Sequence, residues 1–131
     1  MSGLLHLADS RGRLGARGEA AAEALLRRAG MRILERRFRL RCGEIDLIAE
    51  QDGRIVFVEV KARRGTGYGS PAAAITKSKR ERIARVALAY LQRRSWLTRP
   101  TRFDVVEVMA CPGEGFESRH IEDAFRLWPT G

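Results

Sequence analysis

The chain has 131 residues, 44% of them hydrophobic, and it carries 25 Lys and Arg against 16 Asp and Glu, a formal net charge of +9 at pH 7. This length fits one compact domain with a sizeable core, and the composition excludes wholesale disorder. The apolar runs are too short to cross a membrane, and residues 1–8 lack the regions of a signal peptide, so the expected compartment is the cytoplasm. The charge favours nucleic acid over a membrane surface as the partner.

Cysteine and histidine usage argues against a zinc site or a disulfide framework. Cys42 and Cys111 are far apart and form no CxxC pattern, and His6 and His120 show no metal-ligand spacing. Two free thiols in a reducing compartment are therefore expected.

The first predicted elements are a helix and an extended segment. Residues 1–13 are expected to form a mobile polar arm. Residues 14–29 have apolar side chains at three- and four-residue spacing, and Gly30 supplies a stop, so a helix is predicted there. Residues 31–40 are expected to be extended.

A hairpin and a second helix follow. Strands are predicted over 44–51 and 54–61, joined by Asp52-Gly53, which is typical of a tight turn. A Gly-rich basic loop is expected over 62–69, and a helical turn from Ser70-Pro71. Thr76 is predicted to cap a helix that runs to about residue 94, with a buried face formed by Ile83, Val86, Ala87, Tyr90 and Leu91.

The remaining elements complete the fold prediction. A strand is predicted over 102–110, a turn over 111–116, an edge strand over 119–125 and a tail over 127–131. The element order predicts an α/β (α+β) fold, with a mixed central sheet flanked by helices, in one domain over 14–126.

The predicted hairpin places two acidic residues across from each other. If Gln51 pairs with Arg54, the same register puts Asp46 opposite Glu59, with Cβ atoms about 4.5–5.5 Å apart. Lys61 lies two residues after Glu59 and so points to the same face of the sheet. A β-bulge would change this register.

Facing carboxylates repel, so this pair requires a compensating charge. Lys61 is one candidate and a divalent cation is another, because Mg²⁺ binds one or two carboxylates together with waters and phosphate oxygens. Such an ion can activate a water, and a lysine can stabilise a developing oxyanion. The alternative is an ordinary hairpin in which Glu59 pairs with Lys61 near a solvated end.

Two motifs resemble a known nuclease signature. GEIDLI over 43–48 and FVEVKAR over 57–63 are similar to the PD-(D/E)xK motif, with Asp46 as the first acid and Glu59-Val60-Lys61 as the ExK. Ile45 stands where the motif has proline. From about residue 15 to 125 the chain resembles the bacterial YraN-like family, which is related to archaeal Holliday junction resolvases. Further shared elements are Gly18-Glu19, Gly69-Ser70-Pro71, Lys79-Arg80 and residues 102–106.

The resemblance implies a restriction-endonuclease-like fold and metal-dependent hydrolysis of phosphodiesters. Mg²⁺ or Mn²⁺ would bind Asp46 and Glu59, and Lys61 would act on the nucleophile. In the resolvase relatives a glutamate of the first helix completes the metal site, and it aligns with Glu19, with Glu23 as the second candidate. Without the resemblance, Glu19 would be a solvated acid in the first turn of a helix.

Three basic segments are predicted to contact nucleic acid. Residues 27–41 contain seven arginines, two more border the glycine loop, and several cations crowd the start of the second helix. Cations are disfavoured at a helix N-terminus unless a phosphate binds there. In the loop, an aromatic ring is equally suited to stacking on a base and to packing on the surface. The predicted contacts are Arg36, Arg37, Arg39, Arg41, Arg63, Arg64, Tyr68, Lys77, Lys79 and Arg80.

Several interpretations stay open. The chain has no zinc finger or RNP motif, which predicts recognition of backbone and shape, including branched or flapped DNA. The alternatives to an endonuclease are a non-catalytic nucleic-acid-binding module of the same fold and a basic interaction protein. A homodimer would suit a two-strand cut, and its candidate interface residues, equally suited to the core, are Trp96, Leu97, Phe116 and Trp128. Asp104 could support the metal site from behind its ligands or form a strand-end salt bridge, and the salt bridge is the preferred prediction.

Overall fold

A computed structural model describes residues 13–63, 75–110, 113, 115–126 and 128, without the side chains of residues 13–16, 63, 110 and 116. The first elements are helix α1 (Arg13–Arg28) and strands β1 (Arg32–Leu40), β2 (Gly43–Gln51) and β3 (Arg54–Arg63). Helix α2 (Lys77–Arg94) and strands β4 (Thr101–Ala110) and β5 (Phe116–Ile121) follow. No helix in the described ranges is long and apolar enough to cross a membrane.

The five strands form one mixed sheet in the order β1-β2-β3-β4-β5. Strands β3 and β4 pair in parallel, and the other neighbours pair antiparallel. A parallel pair needs a long crossover connection, and α2 lies in that connection. The predicted α+β architecture with a mixed sheet and two helices is confirmed.

The sheet separates two hydrophobic clusters, one beside each helix. Side chains alternate along β3, so Phe57 packs on the α2 side while Val56 and Val58 pack on the α1 side. Both faces of the central strands are covered, which explains their nearly continuous apolar sequence. The five residues predicted for the buried face of α2 are all buried.

The hairpin and the second helix form where local sequence signals predict them. Asp52 and Gly53 both have positive φ, 52° and 81°, as the tightest hairpin turns require, and Gln51 pairs with Arg54. The Thr76 side chain accepts a hydrogen bond from the backbone N–H of Lys79 at 3.1 Å and caps α2. These predictions are confirmed.

Several predicted boundaries were wrong. Helix α1 begins at residue 13, and β3 continues through residues 62 and 63, because Arg63 still pairs with Met109 of β4. Strand β5 spans Phe116–Ile121 rather than 119–125, because its pairing with β4 begins at Phe116 opposite Ala110. The predicted arm, most of the Gly-rich loop and the turn at 70–71 lie outside the described residues.

Candidate metal-binding and catalytic site

Asp46 lies where the regular alternation of β2 is interrupted. Ile45 packs in the α2-side cluster, whereas Leu47 packs in the α1-side cluster. Residues two apart on a regular strand point to the same face, so the strand is irregular between these two residues. Opposite this point, Arg37 of β1 has a positive φ of 50°. Such irregularities redirect side chains and are common beside active sites.

The Asp46 carboxylate is hydrogen-bonded to the backbone of β3. Its Oδ2 atom accepts a hydrogen bond from the N–H of Val60 at 2.8 Å. The five pairs between β2 and β3 follow the predicted register, and within the described residues this ladder ends at Leu47 and Val58, one step before Asp46 and Glu59. The two acids therefore lie at the same end of the hairpin, beyond its last backbone pair.

The electrostatic environment of Asp46 is unfavourable for a negative charge. Burial, and next the neighbouring carboxylate of Glu59, raise the pKa of Asp46 from its ordinary 3.8 to about 8. The Val60 hydrogen bond opposes this rise, whereas Glu19 and Glu44 contribute to it. A cation near this carboxyl would offset the negative charges around it and would favour its ionised form.

Glu59 is neutralised by Lys79 of α2. The Glu59 side chain lies on the α2 side of the sheet and is only 5% exposed. Its Oε2 atom is 2.5 Å from the Nζ of Lys79. The ordinary hairpin with a Glu59–Lys61 pair is therefore not observed, and Lys79, predicted as a phosphate contact, lies in the acidic site instead.

Sequence reasoning missed a third buried acid at this end of the sheet. Glu107 is 4% exposed and lies beside Lys61 in the parallel register of β3 and β4. Its Oε1 atom is 3.3 Å from the Nη2 of Arg119 on β5. Adjacent strands are about 4.8 Å apart, so the lysine and this glutamate are direct neighbours on the sheet. The only signal in the sequence was a charge within the apolar run of β4.

The two glutamates of α1 are both ion-paired. Glu19 lies in the second turn of α1, not the first, and its Oε1 is 2.9 Å from the Nε of Arg37. Glu23 pairs with Arg36 at 2.6 Å and with Arg27 at 2.8 Å. The hydrogen bond from Arg36 is the main cause that lowers the pKa of Glu23 to about 2. The charge of Glu23 is thus neutralised by two arginines, whereas the charge of Glu19 still raises the pKa of Asp46.

The acids of this site fit a small hard cation. Within the described residues, no group of three His, Cys, Asp or Glu side chains is arranged to hold a metal. Asp46 and Glu59 form a pair, with Glu19 held beside it by Arg37. Two carboxylates are the protein ligands that Mg²⁺ commonly uses, with waters and substrate phosphate oxygens as the others, and Mn²⁺ also prefers oxygen. Asp46 and Glu59 would hold this ion.

Sequence comparison assigns the family. The model of a family described as "Uncharacterised protein family UPF0102" matches residues 18–108. The chain belongs to the UPF0102 family. A UPF0102 protein of Symbiobacterium thermophilum is 50% identical over 113 residues, which cover 86% of this chain and 96% of that protein. A UPF0102 protein of Geobacter sulfurreducens is 44% identical over 114 residues, 87% of this chain and 89% of that one.

The UPF0102 match includes every residue of the acidic site: Glu19, Asp46, Glu59, Lys61, Lys79 and Glu107. Among solved structures, SfsA of Pyrococcus furiosus in complex with Ca²⁺ is similar with a TM-score of 0.41 and 14% identity. The similarity covers 86% of this chain but only 63% of SfsA.

The three predicted nucleic-acid contacts of this UPF0102 protein that lie on β1 are all paired with acids. Arg36 and Arg37 bind the glutamates of α1, and Arg39 binds Glu44 at 3.2 Å. Such exposed pairs are weak and exchange readily. Arg41 is exposed. Three predicted contacts lie outside the described part of the chain: the Arg63 side chain, Arg64 and Tyr68. Two others, Lys77 and Arg80, line a cleft beside α2.

Asp104 forms the expected salt bridge, away from the acidic pair. It is fully buried and receives two hydrogen bonds from Arg102, at 2.8 and 2.9 Å. His120 Nε2 lies 2.7 Å from Oδ2, and the N–H of Asp123 donates to Oδ1 at 2.9 Å. Every side of this carboxylate is thus satisfied, which indicates a structural role.

The remaining predictions concern thiols and apolar residues. Cys42 is a free thiol, and Cys111 lies outside the described residues. Trp96 packs edge-on against Tyr90, with ring centroids 6.1 Å apart, whereas Leu97 is 53% exposed. The homodimer stays a prediction.

Proposed function

We propose that this UPF0102 protein acts on nucleic acid, with DNA favoured, as a Mg²⁺- or Mn²⁺-dependent endonuclease that hydrolyses phosphodiester bonds. The observation that supports this most is the pair of Asp46 and Glu59. One carboxyl is held by the β3 backbone with its pKa raised to about 8, and the other is almost fully buried beside it. A divalent cation would convert this repulsion into binding energy.

The ion would supply Lewis acidity at a bound water and would offset charge that builds up on the phosphate. Lys61 orients the attacking water or stabilises the developing oxyanion. Glu19 serves as a further ligand or as a base once it leaves Arg37. Lys79 neutralises Glu59 until the ion replaces it, and its ammonium then becomes available to a substrate phosphate.

A second candidate function is a non-catalytic nucleic-acid-binding module. The contact between Lys79 and Glu59 favours it, because an ammonium already occupies the position that a metal ion would need. In that case the basic surface of the chain would bind phosphates, and Asp46 would be dispensable for binding.

The experiment is cleavage of linear, flapped and four-way-branched DNA with Mg²⁺ or Mn²⁺. Wild type is compared with Asp46→Asn, Glu59→Gln and Lys61→Ala, and Asp52→Asn is the matched control in the exposed turn. We expect each site variant to lose about a hundredfold or more in rate, and the control to cut as wild type does. Binding without cutting by any variant supports the non-catalytic module, and the absence of both cutting and binding contradicts both functions.

A further inference from the structure

A basic cleft opens between α2 and the C-terminal segment. It has a volume of about 760 Å³. A second hollow of about 400 Å³ shares Arg126 and Trp128 with it and adds Arg99 and Arg102. The lining of the first cleft has four cations and one acid, and consists of Lys77, Arg80, Glu81, Ala84, Arg85, Arg126 and Trp128.

The cations of this cleft lack the counter-charges that other arginines have. Those of β1 are mostly paired with glutamates. In contrast, none of Lys77, Arg80, Arg85 and Arg126 forms an ion pair with any described residue. In addition, the Nε atom of Arg80 is buried and has no hydrogen-bond partner in the described part of the chain. An anion in the cleft would supply the counter-charge that these four side chains lack.

Trp128 borders the cleft in a fixed position. Its Nε1 atom donates a hydrogen bond to the Oγ1 of Thr101 at 3.1 Å, and the half-buried ring packs against the α2-side cluster. A ring that is already anchored loses little conformational freedom when a ligand stacks on it. Aromatic rings next to cations are the combination that binds single-stranded nucleic acid, because the ring stacks on a base and the cations contact phosphates.

We propose that this cleft binds a single-stranded segment of nucleic acid, with an unpaired base on Trp128 and flanking phosphates at Lys77, Arg80, Arg85 and Arg126. The inference rests on the proposed function for its context, since it specifies a substrate with an unpaired stretch, such as a flap or an overhang. Lys77 and Arg80 flank Lys79, which contacts Glu59, so the bound strand lies next to the acidic site. A duplex presents phosphates but no free base face.

The test measures binding by the full chain in EDTA, so that cleavage plays no part. The chain has two tryptophans, and Trp96→Phe leaves Trp128 as the only one, which can be excited selectively over the two tyrosines. We expect an oligothymidine of about twelve nucleotides to quench this fluorescence and to bind about tenfold tighter than a duplex of equal length. Arg85→Ala and Arg126→Ala should each lower the salt dependence by about 0.7 in log–log slope. The exposed Arg54→Ala is the matched control, because Ile55 packs on the α2 side and alternation along β3 therefore places Arg54 on the opposite face, away from α2.

Three results of the binding measurement would overturn the inference. They are unchanged fluorescence at saturating oligothymidine, a duplex bound as tightly as the single strand, or the same quenching by heparin, which has no bases to stack. Because Trp128 contacts the core, Trp128→Phe keeps the ring and should retain binding, whereas Trp128→Ala should weaken it about tenfold or more. Binding in EDTA without any nuclease activity would contradict the proposed endonuclease but not this inference. Cleavage with no preference for single strands would contradict this inference but not the endonuclease.

Discussion

Replacing Asp46 by asparagine is expected to stabilise the protein at neutral pH. Asparagine retains an oxygen that can accept the Val60 hydrogen bond, but it removes the charge that burial and Glu59 disfavour. In the folded protein the pKa of Asp46 is about 8, against an ordinary value of 3.8. The folded state therefore holds a proton that the unfolded chain has released, and the stability of wild type falls as pH rises between these two values.

The size of the effect follows from the separation of the two pKa values. Each unit corresponds to about 1.4 kcal/mol, so the upper limit at pH 7 is about 4 kcal/mol. Asp46 is only half-buried, so solvent screens part of this penalty. We therefore expect Asp46→Asn to raise the free energy of unfolding at pH 7 by about 1–2 kcal/mol.

Urea unfolding in EDTA across the acid to mildly alkaline range measures this difference. The difference between variant and wild type should be smallest near the ordinary pKa of aspartate, should grow with pH, and should level off above the folded-state pKa. Asp52→Asn is the matched control, because it makes the same chemical change at an exposed turn where asparagine also tolerates positive φ. A variant less stable than wild type at pH 7, or a difference independent of pH, would refute the reasoning.

The remaining predictions concern three side chains of the core and the site. Lys79→Ala should lower the free energy of unfolding by about 1–3 kcal/mol, because Glu59 loses its counter-charge. In urea unfolding, Mg²⁺ should restore part of this lost stability, and no effect of Mg²⁺ would contradict the prediction. Asp104→Ala should lower the free energy of unfolding by about 3–5 kcal/mol, since the mostly buried Arg102 would keep only its longer contact with Glu122, at 3.8 Å. Calorimetry that shows less than about 1 kcal/mol would be inconsistent with the network. The Tyr90 hydroxyl is buried with no partner among the described residues, so Tyr90→Phe should keep or raise the stability by up to about 1 kcal/mol, and a clear drop in Tm would show a missed hydrogen bond.

Predictions from the sequence succeeded where the signal is local. The Asp52-Gly53 turn determines the register of the hairpin, because both residues adopt the positive φ that it needs. Thr76 and the apolar spacing after it define α2 from its cap to its buried face. In contrast, β5 has mostly polar residues, and its start is set by pairing with β4 rather than by its own pattern.

The contacts inside the acidic site join residues that are distant in sequence, so they could not be predicted from local patterns. Lys79 reaches Glu59 only because α2 crosses over the sheet, and Glu107 lies beside Lys61 only because β3 and β4 are parallel. The arginines of β1 suggested a phosphate-binding surface. Ion pairs with glutamates of α1 and β2 already occupy all four of them, and these contacts follow from the packing of α1 and the pairing of the strands.

The central claim is that Asp46 and Glu59 share a divalent cation, and calorimetric titration with Mn²⁺ near pH 7 tests it most directly. Two buffers of different ionisation enthalpy reveal the protons released on binding. We predict one site that releases about one proton, because Asp46 must ionise to bind the metal, with loss of both binding and proton release in Asp46→Asn and retention of both in Asp52→Asn. Absence of binding at millimolar Mn²⁺, or equal binding by Asp46→Asn, would contradict the claim.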